Sequence, residues 1–117
     1  MSLRDRIIAA DDIGRHLVEV PEWGVEIEVR TLSAGMRTRM LKTAQTAEGE
    51  VDLELLYPTV LIATCYDPET EEPVFTSDDI QIIQEKSATA VETLAQKAME
   101  VSGMTGEASV DEEGKDS

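Results

Sequence analysis

His16-Leu17-Val18-Glu19-Val20-Pro21-Glu22-Trp23-Gly24-Val25-Glu26-Ile27-Glu28-Val29-Arg30 is the stretch whose reading decides the fold. Val25, Ile27 and Val29 alternate with Glu26, Glu28 and Arg30, which is the period of a strand with one buried and one wet face. Residues 16–20 have the same β character, and Pro21-Glu22-Trp23-Gly24 between the two runs has turn composition. The stretch therefore predicts a β-hairpin. A lone two-stranded hairpin is marginal in water and has to lean on helices or on another chain. Its edges are open for pairing.

Everything outside the hairpin reads as helix or loop. A short helix is expected over residues 3–10, stopped by Asp11-Asp12 and Gly14. Ser33 is an N-cap for a helix through about Ala47, with Met36, Met40, Leu41 and Ala44 on one face and Gly49 beyond its end. Residues 51–66 are the most apolar stretch, with apolar side chains almost all round a helix, so they mark the central buried element. Pro58 within it predicts a kink or a fresh helix start. The Asp67-Pro68-Glu69-Thr70-Glu71-Glu72-Pro73 segment is an acidic surface loop, and Thr76 with Asp79 three residues on predicts a capped short helix bearing Ile80 and Ile83. Ser87 caps a last helix with a stripe of Val91, Leu94, Ala95, Ala98 and Ser102, and Gly103 stops it. The expected fold is α+β: an N-terminal β-hairpin or small antiparallel sheet followed by a bundle of about four helices. Residues 1–105 form the single domain and residues 106–117 a disordered acidic tail.

Composition limits what such a domain does. Ten Lys and Arg against 25 Asp and Glu leave a net charge of −15 in 117 residues. That charge argues against nucleic acid as a partner, since phosphate contacts need clustered bases, and against an anionic membrane surface. The charge is unevenly placed. Residues 1–47 balance seven bases with seven acids, whereas residues 48–117 carry the whole excess, with no base between Lys42 and Lys86. A polarity of this kind suits head-to-tail self-association or a neutral or basic partner. No apolar run is long enough to span a membrane or form a signal-peptide core, and Cys65 is the sole cysteine, so a soluble, intracellular protein is expected.

Catalytic and metal-binding readings find little support. His16 is the one histidine and fits an ordinary side chain on the outer face of a strand. Cys65 lies in the apolar run without an activating base, as a structural thiol does. Asp67, Glu69 and Glu71 alternate like calcium ligands, but Glu72 stands where a calcium loop requires glycine. No Gly-rich phosphate loop is present. No catalytic residue, metal site or cofactor is expected. Trp23, in the turn, either folds back as core or serves as an exposed anchor for a partner. Met36, Met40 and Leu41 either fill the core or line an adaptable binding groove.

Several segments, in order, resemble one known family. Val18-Glu19-Val20-Pro21-Glu22-Trp23-Gly24, then Val29-Arg30-Thr31-Leu32-Ser33-Ala34, are similar to the opening of tail assembly chaperones of long-tailed (siphovirus-type) phages and prophages. The resemblance continues through Ala63 to Asp67-Pro68-Glu69-Thr70, Pro73-Val74-Phe75-Thr76, Asp79, Glu85-Lys86-Ser87-Ala88, Leu94 and Ser102-Gly103, covering about residues 15–104. It implies a non-enzymatic protein of viral morphogenesis that coats the long, apolar, helical tape measure protein in the host cytoplasm. Such a protein leaves as tail tube subunits polymerise and is absent from the mature virion. It also implies a tail tube partner reached through a frameshifted longer form. Many copies lining one client gain from self-association, for which the open hairpin edges and the uneven charge are candidate means. Two other readings fit the composition: a structural neck or tail component of the virion, and an acidic adaptor or charge mimic.

Overall fold

The computed structural model describes residues 1–104, and in it the hairpin forms where the alternation places it. Strands β1 (Arg15–Val20) and β2 (Val25–Arg30) pair antiparallel, with Arg15 opposite Arg30 and Val20 opposite Val25. Gly24 closes the turn at φ 63°, a left-handed conformation that glycine adopts without a Cβ penalty. Val20, Ile27 and Val29 point inward and are buried, while Glu19, Glu26 and Leu17 stay on the exposed face.

The hairpin does not stand alone. A third strand, β3 (Cys65–Tyr66), pairs antiparallel with Glu28 and Val29, giving a three-stranded sheet in the order β1-β2-β3. The sequence reading had assigned these residues to the end of the apolar helix, and one edge of the hairpin that it left open is thus partly covered.

Helix α1 (Leu3–Ala9) precedes the sheet, opened by a capping box between Ser2 and Asp5, and none of its residues is buried. Four helices follow the sheet's first two strands: α2 (Ala34–Thr43), α3 (Leu53–Thr64), α4 (Ile80–Gln84), entered through a 3₁₀ turn at Ser77–Asp79, and α5 (Ala88–Val101). Ser33, Asp52 and Ser87 cap α2, α3 and α5 by accepting backbone N–H groups, as short polar side chains do at helix starts. Asp79 accepts the Thr76 N–H at 2.8 Å. Past α5, the N–H groups of Gly103 and Met104 reach back to the carbonyls of Glu100 and Met99, with Gly103 at φ 74°. That arrangement is the Schellman stop.

Helix α2 ends at Thr43, short of the expected Ala47. Beyond it the chain folds into a small antiparallel turn in which the Asp52 N–H donates to Ala44 O and the Thr46 N–H to Glu50 O, both at 2.7 Å. Those bonds take the place of a further helical turn.

Helix α3 is the centre of the molecule: α2, α4, α5 and β2 all pack on it, and Leu56, Val60 and Leu61 are buried. The small residues Ala90, Ala95 and Ala98 on α5 are buried too, which lets that helix approach closely. Among the described residues Thr64 is the one buried polar residue, and its hydroxyl donates to Val60 O at 2.7 Å. The residues expected to form the tail, 106–117, lie outside the described residues.

Pro58 sits inside α3 and starts no new helix. A proline lacks the N–H that would bond to the carbonyl four residues earlier, here that of Glu54. The side-chain amide of Gln84, in α4, supplies the missing donor to Glu54 O at 2.9 Å. The proline thus creates an acceptor on α3 that α4 satisfies. Removing the amide by Gln84→Ala is expected to cost about 0.5–1.5 kcal/mol, the worth of one hydrogen bond, in urea denaturation. In a Pro58→Ala background, where residue 58 regains its N–H, the same change should cost less. Equal costs in the two backgrounds contradict the link.

Candidate partner-binding groove

Strand β3 covers only part of β2. It pairs with Glu28 and Val29 and leaves the edge of Val25, Glu26 and Ile27 without a strand on that side. The chain then turns away at Asp67, whose carboxylate accepts the N–H groups of Glu69 at 2.8 Å and Thr70 at 3.3 Å. Pro68 follows, without an N–H to extend the ladder. Glu71 takes a left-handed conformation at φ 63°, and the chain returns so that Pro73 bridges to Tyr66 and the Val74 N–H donates to Cys65 O at 3.0 Å.

A groove of about 570 Å³ lies between this returning segment and the hairpin turn. Trp23, Val25, Ile27, Pro68, Val74 and Phe75 supply its apolar lining, and Glu26, Asp67 and Glu69 its charge. Among the described residues no basic side chain lines it. Trp23 and Phe75 are half-buried and pack on the core cluster, so the groove has a firm aromatic floor. Val25 and Val74 are exposed at 46% and 42%. An apolar trough rimmed by carboxylates has the chemistry to take an apolar segment flanked by bases, in the manner of a helix in a groove or a strand added at an edge.

The loop that carries the rim is fastened to the outer face of the sheet. Arg30 Nε lies 2.6 Å from Glu28, Arg15 Nη1 lies 2.9 Å from Glu71, and Arg30 Nη2 lies 3.6 Å from Glu71. The Arg30 guanidinium stacks over the Tyr66 ring at 3.9 Å from its centroid. The hydrogen bond with Glu71 raises the pKa of Arg15 further above its ordinary value. These contacts join all three strands to the 67–73 loop.

The four residues read from the sequence as partner contacts fall in different places. Trp23 packs on the core and also lines the groove. Met36 is half-buried beside a separate depression of about 260 Å³ that also includes Arg15 and Arg30. Met40 is 3% exposed and belongs to the core, where it offers no surface to a partner, and Leu41 is half-buried against that core. Helix α2 therefore does not contribute to the Trp23 groove. Val25, Val74 and Phe75 were not singled out, although the apolar pair Val74-Phe75 inside an acidic loop is the signal that marks them.

The remaining candidates are structural. Cys65 is fully buried, and burial pushes its thiol up from 9.0 to about 12, opposed in part by Thr64, so it stays protonated. His16 stands opposite Val29 and so lies on the helix-facing side of the sheet, not the outer face, yet remains exposed. Among the described residues no group of three or more His, Cys, Asp or Glu is placed to hold a metal ion, and no helix is long and apolar enough to cross a membrane.

Sheet, helical core and groove together define a small α+β protein with an apolar trough edged by carboxylates. The chain belongs to the phage tail assembly chaperone family, whose family model matches residues 2–116. Among solved structures its fold is similar to that of the bacteriophage HK97 tail assembly chaperone, with a TM-score of 0.59 and 21% identity over 83% of this chain and 90% of that chain. No curated protein gives a significant match.

The ion network yields a test of how the rim is held. The Glu71 side chain is 62% exposed, so Glu71→Ala should change global stability by less than about 1 kcal/mol. Hydrogen exchange at the amides of residues 69–74 should nevertheless accelerate. Unchanged exchange there would show that the Asp67 turn alone holds the loop.

Proposed function

We propose that this chaperone binds the tape measure protein during tail morphogenesis and keeps it soluble, taking apolar, base-flanked segments in the groove between Trp23 and Phe75. One observation carries the reading: a member of a tail assembly chaperone family has an apolar groove whose lining, among the described residues, includes three carboxylates and no base. A long helical client has no folded core of its own, so a partner that covers its apolar stripe removes the surface that drives aggregation. The role is one of binding, with no chemical step. Grooves of this size hold only a short segment, so many copies must line one client, and self-association raises the local concentration of sites.

Release follows as tail tube subunits polymerise around the tape measure protein and compete for the same apolar stripe. Contact with the tube protein is through a frameshifted longer form of the chain. The chaperone works in the host cytoplasm and is absent from the finished particle. A neck or tail structural component would instead remain in purified particles, where mass spectrometry would find it.

Co-expression with tape measure segments tests the reading. The wild-type chain should move an otherwise insoluble segment into the soluble fraction and co-purify with it. Val74→Asp adds a fourth charge to the groove at a residue 42% exposed, so it should leave the fold intact and reduce co-purification by about tenfold or more. Raising salt should weaken capture of base-flanked segments by screening the rim. Segments that stay insoluble with the wild-type chain, or capture that Val74→Asp leaves unchanged, contradict the proposal.

A further inference from the structure

Helix α1 turns large apolar side chains to solvent. Leu3, Ile7 and Ile8 are each 64% to 66% exposed, and residues 1–10 are exposed throughout. A helix this short does not persist in water on its own propensity, so its apolar face calls for a cover. Leu3 and Ile7 lie one turn apart on one face, Ile8 adjoins them, and Arg4 and Arg6 sit in and beside that face. Asp5 is the one acid in residues 1–10, and it is engaged with Ser2 in the capping box. Among the described residues no ion pair involves Arg4 or Arg6. Helix α1 is thus a short apolar segment with free bases, in a chain whose net charge is −15.

The groove between Trp23 and Phe75 offers the complementary surface, an apolar lining with Glu26, Asp67 and Glu69 and, among the described residues, no base. The attachment of α1 brings the two close. Gly14 is fixed at the foot of β1, its N–H donating to Thr31 Oγ1 and its carbonyl accepting the Thr31 N–H, both at 2.9 Å. Just before it, Asp11 and Ile13 line the depression of about 260 Å³ together with Arg30 and Tyr66. Tyr66 also lines the groove, so a single side chain borders both the tether of α1 and the trough.

That tether has the reach and the freedom to carry α1 across. Residues 10–13 form neither helix nor strand. Four extended residues span about 13–14 Å, more than the length of α1 itself, about 10 Å. The hydrogen bonds of residues 1–13 stay within α1 and its caps, so the helix moves without breaking any bond to the body.

We propose that α1 closes over the groove of its own chain and holds it as a stand-in for the client, which has to displace it. In the closed position Leu3, Ile7 and Ile8 lie against Val25, Val74 and the floor of Trp23 and Phe75, and Arg4 and Arg6 meet the three carboxylates. The structure holds the open position, with the groove free and α1 in solvent. A short tether sets the effective concentration of α1 at the groove in the millimolar range, so a weak contact suffices. Closure covers two apolar surfaces at once while no client is present. A client segment binds only as often as the groove is open, and its apparent affinity falls by that fraction. The inference rests on the client reading for the use of the groove, not for the closure itself.

The closure is tested first without client. In the ¹⁵N-labelled chain, Ile7→Ser combined with Ile8→Ser should shift the Trp23 indole N–H and the Val25 and Val74 amides. Melting should stay unchanged, since neither isoleucine is buried. Ile82→Ser, which removes an isoleucine 52% exposed on α4, should move none of these signals. Dilution should leave the shifts as they are, because a chain closing on itself does not depend on concentration. Titration with a soluble, base-flanked tape measure peptide should then give a Kd about threefold or more tighter for the double variant than for the wild type. Groove signals that the double variant leaves unmoved, shifts that vanish on dilution, or equal affinities where both chains bind the peptide overturn the proposal. A peptide that binds neither chain defeats the client reading, while the client-free shifts still decide the closure.

Discussion

Two ladder steps, Glu28 with Tyr66 and Val29 with Cys65, hold the molecule together as one body. A two-stranded hairpin has too little core to stand in water, and the helices offer it no edge to pair with. Strand β3 solves this because it leaves α3 directly, Thr64 being the last helical residue and Cys65 the first of the strand. Val29 and Cys65 are both fully buried at that junction, so the hydrogen bonds form where water does not compete. The same constraint makes the groove. Since the Asp67-Pro68 turn ends β3 after two residues, part of β2 is left uncovered, and the chain returning through Val74 and Phe75 walls off the gap.

Much of this could be read from the chain. The hairpin was legible because Val25 to Arg30 repeats with a strict period of two, and the starts of α2 and α5 because Ser33 and Ser87 are short capping residues ahead of helical spacing. Strand β3 was not legible. Two residues cannot display a period, and Cys65-Tyr66 continue an apolar run that is helical up to Thr64. The early end of α2 was hidden for a related reason: the bonds that replace its last turn join Ala44 to Asp52 and Thr46 to Glu50, partners that a local pattern does not reveal. Pro58 reads as a kink or a fresh start because the donor that satisfies Glu54 O comes from Gln84, distant in sequence. Of the groove, only Trp23 stood out. Val74 and Phe75 sit in a segment whose four acids and two prolines read as solvent-facing loop, and Met40 was drawn into the core by the contacts of α2 with α3.

The net charge of −15 also takes on a definite arrangement. Arg15 and Arg30, from the electrically balanced first half, are spent inside the molecule on Glu28 and Glu71. Among the described residues, Glu26, Asp67 and Glu69 are left at the groove without a base in its lining. Carboxylates in that position do two things at once. They suit a partner with basic flanks, and their like charge opposes contact between copies across the surface that exposes Val25, Val74 and the aromatic floor.

The claim on which this account turns is that the uncovered part of β2 and the 67–75 segment receive the client. Titration of the ¹⁵N-labelled chain with a soluble, base-flanked tape measure peptide tests it most directly, by following backbone amide shifts. The account predicts perturbations concentrated at Trp23 to Ile27 and Asp67 to Phe75, together with the Trp23 indole N–H. Perturbations confined to α1, α2 or α5, with the Trp23 indole signal unmoved, would contradict it.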